Sequence, residues 1–301
     1  MKTINKLYQL ARVALAGGTP VVAVVWPDDM STLLALRRAL NLGLAKVVAV
    51  GCREKVNKRL AKHVEAGTVT VVDADSPVEA AAIAVSLARE GTVQVVMKGL
   101  VNTDVLLRAV LDKKKGLLPE GNVLTHVTIG EIPTYSKLLL FGDVAVLPMP
   151  TLEQREAQLR NIIVLARALG IACPHVALAH CSEKVDERHF PVTADYVTII
   201  NRAGSGEYGD CLVGGPMDVK TACDAHAARV KGITSPVAGN ADAIIFPEIE
   251  SGNAFYKAMT LFGGMSTAAV VCGADVPLVM PSRGDDFRNK FYSLAAARLL
   301  V

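Results

Sequence analysis

The segment PSRGDD, residues 281–286, sets a hydroxyl, a guanidinium, a glycine and two carboxylates side by side. It follows the apolar run VPLVM (276–280) and precedes FRNKFYSLAAARLL, so it reads as a polar corner between a buried strand and a packing helix. Two other corners share that plan. VVMKGLVNTD (95–104) places Lys98, Gly99, Asn102 and Thr103 after an apolar run and ahead of a helix. IIFPEIESGNAFYKA (244–258) gathers Glu248, Ser251, Gly252 and Asn253, with Lys257 further along the same helix. The chemistry on offer is anion recognition. A helix N-terminus presents unpaired N–H groups and a positive dipole end, and an arginine fork matches phosphate oxygens. Helix capping by Asn102, Ser251 or Ser282 explains each corner singly. It does not explain the lysine or arginine that accompanies each one.

Other motifs carry less. AGSGEYGD (203–210) contains GxGxxG, which binds dinucleotides only between a strand and a following helix; here the reading is strand before and strand after, so a loop is expected. There is no GxxxxGK[ST], no GxSxG and no HExxH, so a triphosphate loop, a hydrolase elbow and a zinc protease site have no support. No metal site is expected. The six cysteines are scattered without a CxxC pair, as in a protein with reduced thiols.

Short β-branched runs alternate with 3.6-period segments and must position these corners. The first half reads as strands at 20–26, 46–51, 68–73 and 93–99, with helices from Met30 to Asn41, to about Ala66, from a Ser76–Glu79 capping box to about Glu90, and from Thr103 to Asp112. Strands apolar on both faces argue for a parallel sheet under helices. Then come strands at 123–129, 137–143 and 144–149, and a long helix opened by Thr151 and Gln154 that runs to about Leu169. Further strands are expected at 175–180, 196–201, 211–215, 241–248, 268–273 and 276–280. In open α/β sheets ligands gather at the carboxyl ends of strands, and all three corners are such ends.

The chain has 301 residues, 51% hydrophobic and 20% charged, with a formal net charge of +3. That is a globular protein with room for two domains, without the concentrated basic face of a nucleic-acid binder. No apolar run reaches the ~18 residues of a membrane helix, and the amphipathic N-terminus carries charges and no clear cleavage site. A cytoplasmic location is the expectation.

VMKGLVNTD, SPVAGNADAIIFPEIESGNAFYKA and PSRGDD, in that order, resemble the phosphate acetyl/butyryltransferase family, and MKGLVNT resembles its butyryltransferase branch more than its acetyltransferase branch. The resemblance runs from about Lys98 to the C-terminus. It implies an α/β fold of two α/β domains with an interdomain cleft, isocitrate/isopropylmalate-dehydrogenase-like. The first domain would hold residues 1–148 plus 274–301, the second 149–273. The implied reaction is butyryl-CoA plus phosphate to butyryl phosphate plus CoA, without metal or bound cofactor, in a homo-oligomer that binds neither nucleic acid nor membrane. Alternatives are a phosphate acetyltransferase, an NAD-dependent β-decarboxylating dehydrogenase and a non-catalytic CoA or acyl-phosphate binding module.

Under this reading Ser282, Arg283, Asp285 and Asp286 form the catalytic corner. Lys98, Gly99, Asn102 and Thr103 face phosphate or acyl, and Ser235, Gly239, Gly252, Asn253 and Lys257 face CoA. In the acetyltransferase branch the base is an aspartate six residues after the motif arginine; that position here is Asn289, which cannot accept a proton at neutral pH. The butyryltransferase branch has an acid two residues after the arginine, here Asp285. Asp285, with Asp286 second, is therefore expected to act as base or as helix N-terminal stabiliser.

Overall fold

The computed structural model describes residues 2–282 and 284–301. Arg283, the arginine of the PSRGDD corner, lies outside the described residues. The chain divides into two compact units, one of Leu7–Leu124 with Thr267–Val301 and one of Met1–Lys6 with Thr125–Ser266.

The first unit opens with α1 (Leu7–Leu15) and then alternates β1 (Val21–Val25), α2 (Met30–Asn41), β2 (Lys46–Gly51), α3 (Arg53–Glu65), β3 (Val69–Asp73), α4 (Pro77–Arg89), β4 (Val95–Lys98) and α5 (Thr103–Val110). The second unit holds β5 (Thr125–Glu131), β6 (Leu139–Gly142), α6 (Leu152–Ala168), β7 (His175–Ala179), α7 (Val192–Gly204), β8 (Leu212–Met217), α8 (Val219–Cys223), α9 (Ala225–Val230), β9 (Ala243–Ile245) and α10 (Ile249–Leu261). The chain returns to the first unit with β10 (Ser266–Cys272), β11 (Leu278–Val279) and α11 (Phe287–Arg298).

In the first unit the strand order is β3-β2-β1-β4-β11-β10. All neighbours are parallel except the β10–β11 hairpin. Its central strands are buried almost throughout, which is why VVAVV and VVMK read as uninterrupted apolar runs. Register matters most at β11, where Leu278 lies beside Val96 and Val279 beside Met97. In the second unit the order is β5-β6-β9-β7-β8, antiparallel only between β5 and β6. Its core gathers Phe141, Phe246 and Tyr256; Phe141 also meets Phe255 edge-on, ring centroids 5.2 Å apart.

Three expectations are corrected. YVTIIN (196–201) belongs to helix α7, not to a strand: burial recurs at Thr193, Tyr196, Ile199 and Ala203, a helical spacing that the β-branched content masks. GxGxxG therefore follows a helix; Gly206 and Gly209 close the turns after it at φ 85° and 72°, and strand β8 comes next. VAVLPM (144–149) forms bends, because Asp143 Oδ1 accepts the amides of Ala145 and Val146, each at 2.8 Å, and takes them from any ladder. The boundaries at 148/149 and 273/274 move to 124/125 and 266/267. The β5–β6 hairpin pairs with β9, and β10 pairs with β11, so each goes with its partner.

Helix α11 is anchored by one buried cation. Lys290, 3% exposed, donates to Asp29 Oδ1 and to Thr32 Oγ1, each at 3.0 Å. Asp29 also caps α2 through the Thr32 amide. Burial opposes ionisation of Asp29, yet the Thr32 hydroxyl and amide, the Ser31 hydroxyl and Lys290 together hold its pKa well below the usual carboxylate range. Replacing Lys290 with Met should lower stability by about 2 kcal/mol, because an anion loses its buried partner. Urea unfolding checks this: the midpoint should fall with an unchanged slope, and an unchanged midpoint contradicts it.

Candidate functional site

In the first unit β1, β4 and β11 are parallel neighbours, so Trp26, Lys98–Gly99 and Pro281–Ser282 stand at adjacent strand ends. Among the described residues, Trp26 is the one outside glycine with a left-handed backbone, φ 53°. Its N–H donates to Val50 O, and its carbonyl accepts from Asp28 N and Leu100 N, each at 2.8 Å. Gly99 passes so close that a Cβ there would lie 2.5 Å from Trp26 O and 2.6 Å from Val25 O; only glycine fits. Lys98 is buried and donates from Nζ to Val101 O at 3.2 Å. Asn102 occupies the N-cap of α5, but its side chain makes no capping bond, so capping does not account for it. Thr103 is exposed on the first turn of that helix.

The two acids of PSRGDD separate into different tasks. Asp286 caps α11 by accepting from Asn289 N at 2.8 Å. Asp285, half-buried, accepts from Ser282 N at 2.7 Å and returns its own amide to Ser282 O at 3.1 Å. Asn289 has a structural role: its Oδ1 accepts from Thr267 N on β10 at 3.1 Å.

In the second unit the carboxyl ends of β6 and β9 meet the start of α10. Asp143, 2% exposed, also accepts His126 N at 2.8 Å. A Cβ at Gly252 would lie 2.3 Å from Asp143 O, and Asn253 donates to Val144 O at 3.0 Å. Glu248 caps α10 through Ser251 N. Arg155, in the first turn of α6 and part of no motif, is 6% exposed; it donates to Pro247 O at 2.5 Å and pairs with Asp195 at 3.2 Å. Lys257 is exposed, its ammonium 4.8 Å from the Tyr256 ring centre.

Ser235 and Gly239 stand elsewhere in this unit. Ser235 Oγ would lie 2.2 Å from a Cβ on Gly214, in the body of β8, and Gly239 donates to Thr221 O at 2.8 Å with φ 76°. The next residue, Asn240, meets Lys137 and His175 at the amino ends of β6 and β7, away from Gly252 and Asn253. Trp26, Arg155 and Lys290 carried no motif; the backbone geometry of Trp26 and the burial and long-range partners of Arg155 and Lys290 reveal them. Burial pushes the thiols of Cys223 and Cys272 up to about 11 and about 12, which keeps both protonated and poor as acyl carriers. Among the described residues no three His, Cys, Asp or Glu side chains are grouped to hold a metal, and no helix is long and apolar enough to cross a membrane.

The family described as "Phosphate acetyl/butaryl transferase" matches residues 56–297. The chain belongs to this phosphate acetyl/butyryl transferase family. A probable phosphate butyryltransferase of Bacillus subtilis (strain 168) is 34% identical over 292 residues, covering 97% of each chain. A phosphate acetyltransferase of Thermotoga maritima is 31% identical, covering 99% of each. A branched-chain phosphotransacylase from Enterococcus faecalis V583 superposes with a TM-score of 0.81 at 25% identity, covering 93% of this chain and 99% of that one. Family membership brings acyltransferase chemistry on CoA thioester substrates, and the dehydrogenase and binding-module alternatives are not favoured.

At the ends of β7 and β8, Lys231 bridges Glu183 at 2.5 Å and Asp218. Burial raises the pKa of Asp218, but Lys231 and the Thr221 amide and hydroxyl outweigh it and hold it at about 2 against an ordinary 3.8. A depressed carboxylate stabilises the fold above its unfolded pKa, and that contribution is lost as pH falls from 3.8 to about 2. Between about pH 5 and about pH 2.5 the wild type should therefore lose more stability than Lys231→Met, measured by urea midpoints. Equal losses would remove Lys231 as the cause.

Proposed function

We propose that the chain moves a short acyl group, butyryl first, between CoA and inorganic phosphate. The observation that carries this reading is the adjacency of the Lys98–Gly99 and Ser282–Asp285 corners at neighbouring parallel strand ends, in a chain of this family. In the forward direction a phosphate oxygen attacks the thioester carbonyl carbon. The carbonyl electrons move to oxygen, then return as the C–S bond breaks, and the products are acyl phosphate and CoA thiolate, which takes up a proton. In reverse, the thiol loses its proton to a base and attacks the acyl phosphate. A thiol of pKa ~8.5 needs such a base near neutrality.

Lys98, with Asn102 and Thr103 at the start of α5, holds the phosphate or acyl group, and Gly99 lets the chain pass Trp26 closely enough to present them. Ser282 and Arg283 neutralise charge on phosphate and on the tetrahedral oxygen. Asp285 serves as the base, while Asp286 is left to the helix cap. Gly252, Asn253 and Lys257 on α10 are proposed for CoA, with Ser235 and Gly239 supporting that side from further off. CoA enters as substrate, with no bound cofactor. Six free cysteines fit a reducing cytoplasm, and the exposed Leu261 and Phe262 fit association into a homo-oligomer.

Phosphate-dependent thiol release from acetyl-, propionyl-, butyryl- and branched-chain CoA thioesters tests the activity. Catalytic efficiency should peak at butyryl-CoA or a branched thioester, and activity confined to acetyl-CoA would overturn the butyryl assignment. Asp285→Asn should cut kcat by about 10²-fold or more and flatten the pH profile, as loss of a general base does. Asp286→Asn, which keeps a good capping side chain, should leave kcat within a few-fold. Unchanged turnover and pH dependence in Asp285→Asn would remove that residue from the mechanism.

A further inference from the structure

A second feature of the first unit is untouched by the transfer chemistry. At the carboxyl ends of β1, β2 and β3 lies a cavity of about 620 Å³, lined among others by Trp26, Cys52, Arg53, Lys55, Asp73 and Asp75. Trp26 is the chain's single tryptophan. Its backbone, at φ 53°, is fixed by three hydrogen bonds, and its indole lies beside Gly51, where a Cβ would stand 3.4 Å from the ring's Cε3. An indole half-buried at a strand end, with space against it, is a platform for stacking a planar ring.

The polar groups of the cavity complete one ligand class. The Arg53 amide donates to Asp73 Oδ1 at 2.9 Å, but its guanidinium, 54% exposed, is only loosely paired with that acid, Nε to Oδ2 at 3.8 Å, so it can take phosphate oxygens. Asp73 and Asp75 are exposed carboxylates at the end of β3; Asp73 Oδ1 takes the Arg53 amide, and its Oδ2 and the Asp75 carboxylate are suited to accept from sugar hydroxyls. Lys55 is committed to Asp28 at 2.8 Å and closes the wall. We propose that this cavity binds a nucleoside phosphate, with its base on Trp26, its ribose hydroxyls on Asp73 and Asp75 and its phosphate on Arg53. Two sources share that chemistry: the nucleotide end of CoA and a free nucleotide acting from outside the transfer site. For the CoA source the inference rests on the proposed function; binding is read without turnover, so failure of one leaves the other intact.

Trp26 reports directly through intrinsic fluorescence. The full chain is titrated with inorganic phosphate, adenosine, adenosine 3′,5′-bisphosphate, ADP and CoA, with calorimetry in parallel. Saturable quenching by the nucleotides, none by inorganic phosphate, and a Kd raised about 10-fold or more in Arg53→Ala support the site. Trp26→Ala, followed by calorimetry, should weaken the same ligands by about 5-fold or more. Should Trp26→Ala fail to fold, Trp26→Phe and Arg53→Gln carry the test. Quenching by CoA and the bisphosphate assigns the cavity to the substrate's nucleotide end, whereas quenching by ADP without competition from CoA assigns it to a separate effector. No saturable response to any nucleotide, or responses unaltered in Arg53→Ala, overturns the proposal.

Discussion

The parallel pairing of β11 with β4 is the constraint on which the rest of the first unit depends. It joins a strand from the C-terminal region to one from the first hundred residues and fixes their register at Leu278–Val96 and Val279–Met97. A strand's side chains alternate faces, so a slip of one residue would exchange the helix layer against which Leu278 and Val279, both fully buried, are packed, and would move the corner along the sheet. The neighbouring pair, β1 and β4, is locked as tightly: Gly99 lets its backbone run against the carbonyls of Val25 and Trp26. Three strand ends far apart in sequence thereby become one polar edge.

That edge is held by backbone bonds and buried ions more than by side-chain display. Asp286 secures α11, Asn289 ties that helix to β10, and Lys290 ties it to α2 through Asp29 and Thr32. Buried charges need partners: Lys98 and Lys290 have theirs in this unit, and Asp143 and Arg155 have theirs within the second, in backbone carbonyls, amides or an opposite charge. Side chains fixed this way cost little reorganisation when charge develops beside them, which is the condition for electrostatic catalysis. The same logic separates the two adjacent acids: one spends its carboxylate on a helix terminus, the other on the Ser282 turn.

Much of this was legible in the sequence. Helix α2 and strand β2 fall where their periodicity and β-branched content place them, and the Ser76 and Thr151 caps form as their spacing implies. The three corners are strand ends because apolar runs stop at polar residues with helix-starting character. What misled was local composition. YVTIIN carries strand-like residues inside a helix whose burial period spans a longer window. VAVLPM is apolar enough for a strand, but the preceding Asp143 takes its amides. Trp26, Arg155 and Lys290 belong to no motif; their importance comes from burial and long-range partners, which no short window contains. Asn102 looked like a cap and makes no capping bond, whereas Asp286, read as base or helix stabiliser, caps α11.

The most direct test of the central claim is a double-mutant cycle on phosphate-dependent thiol release, using Lys98→Met, Ser282→Ala and the pair. If the two strand ends act on one migrating phosphate, the losses in kcat/KM should be non-additive, with a coupling of about 1 kcal/mol or more. Losses that add within about 0.3 kcal/mol would mean that the two corners do not share a substrate.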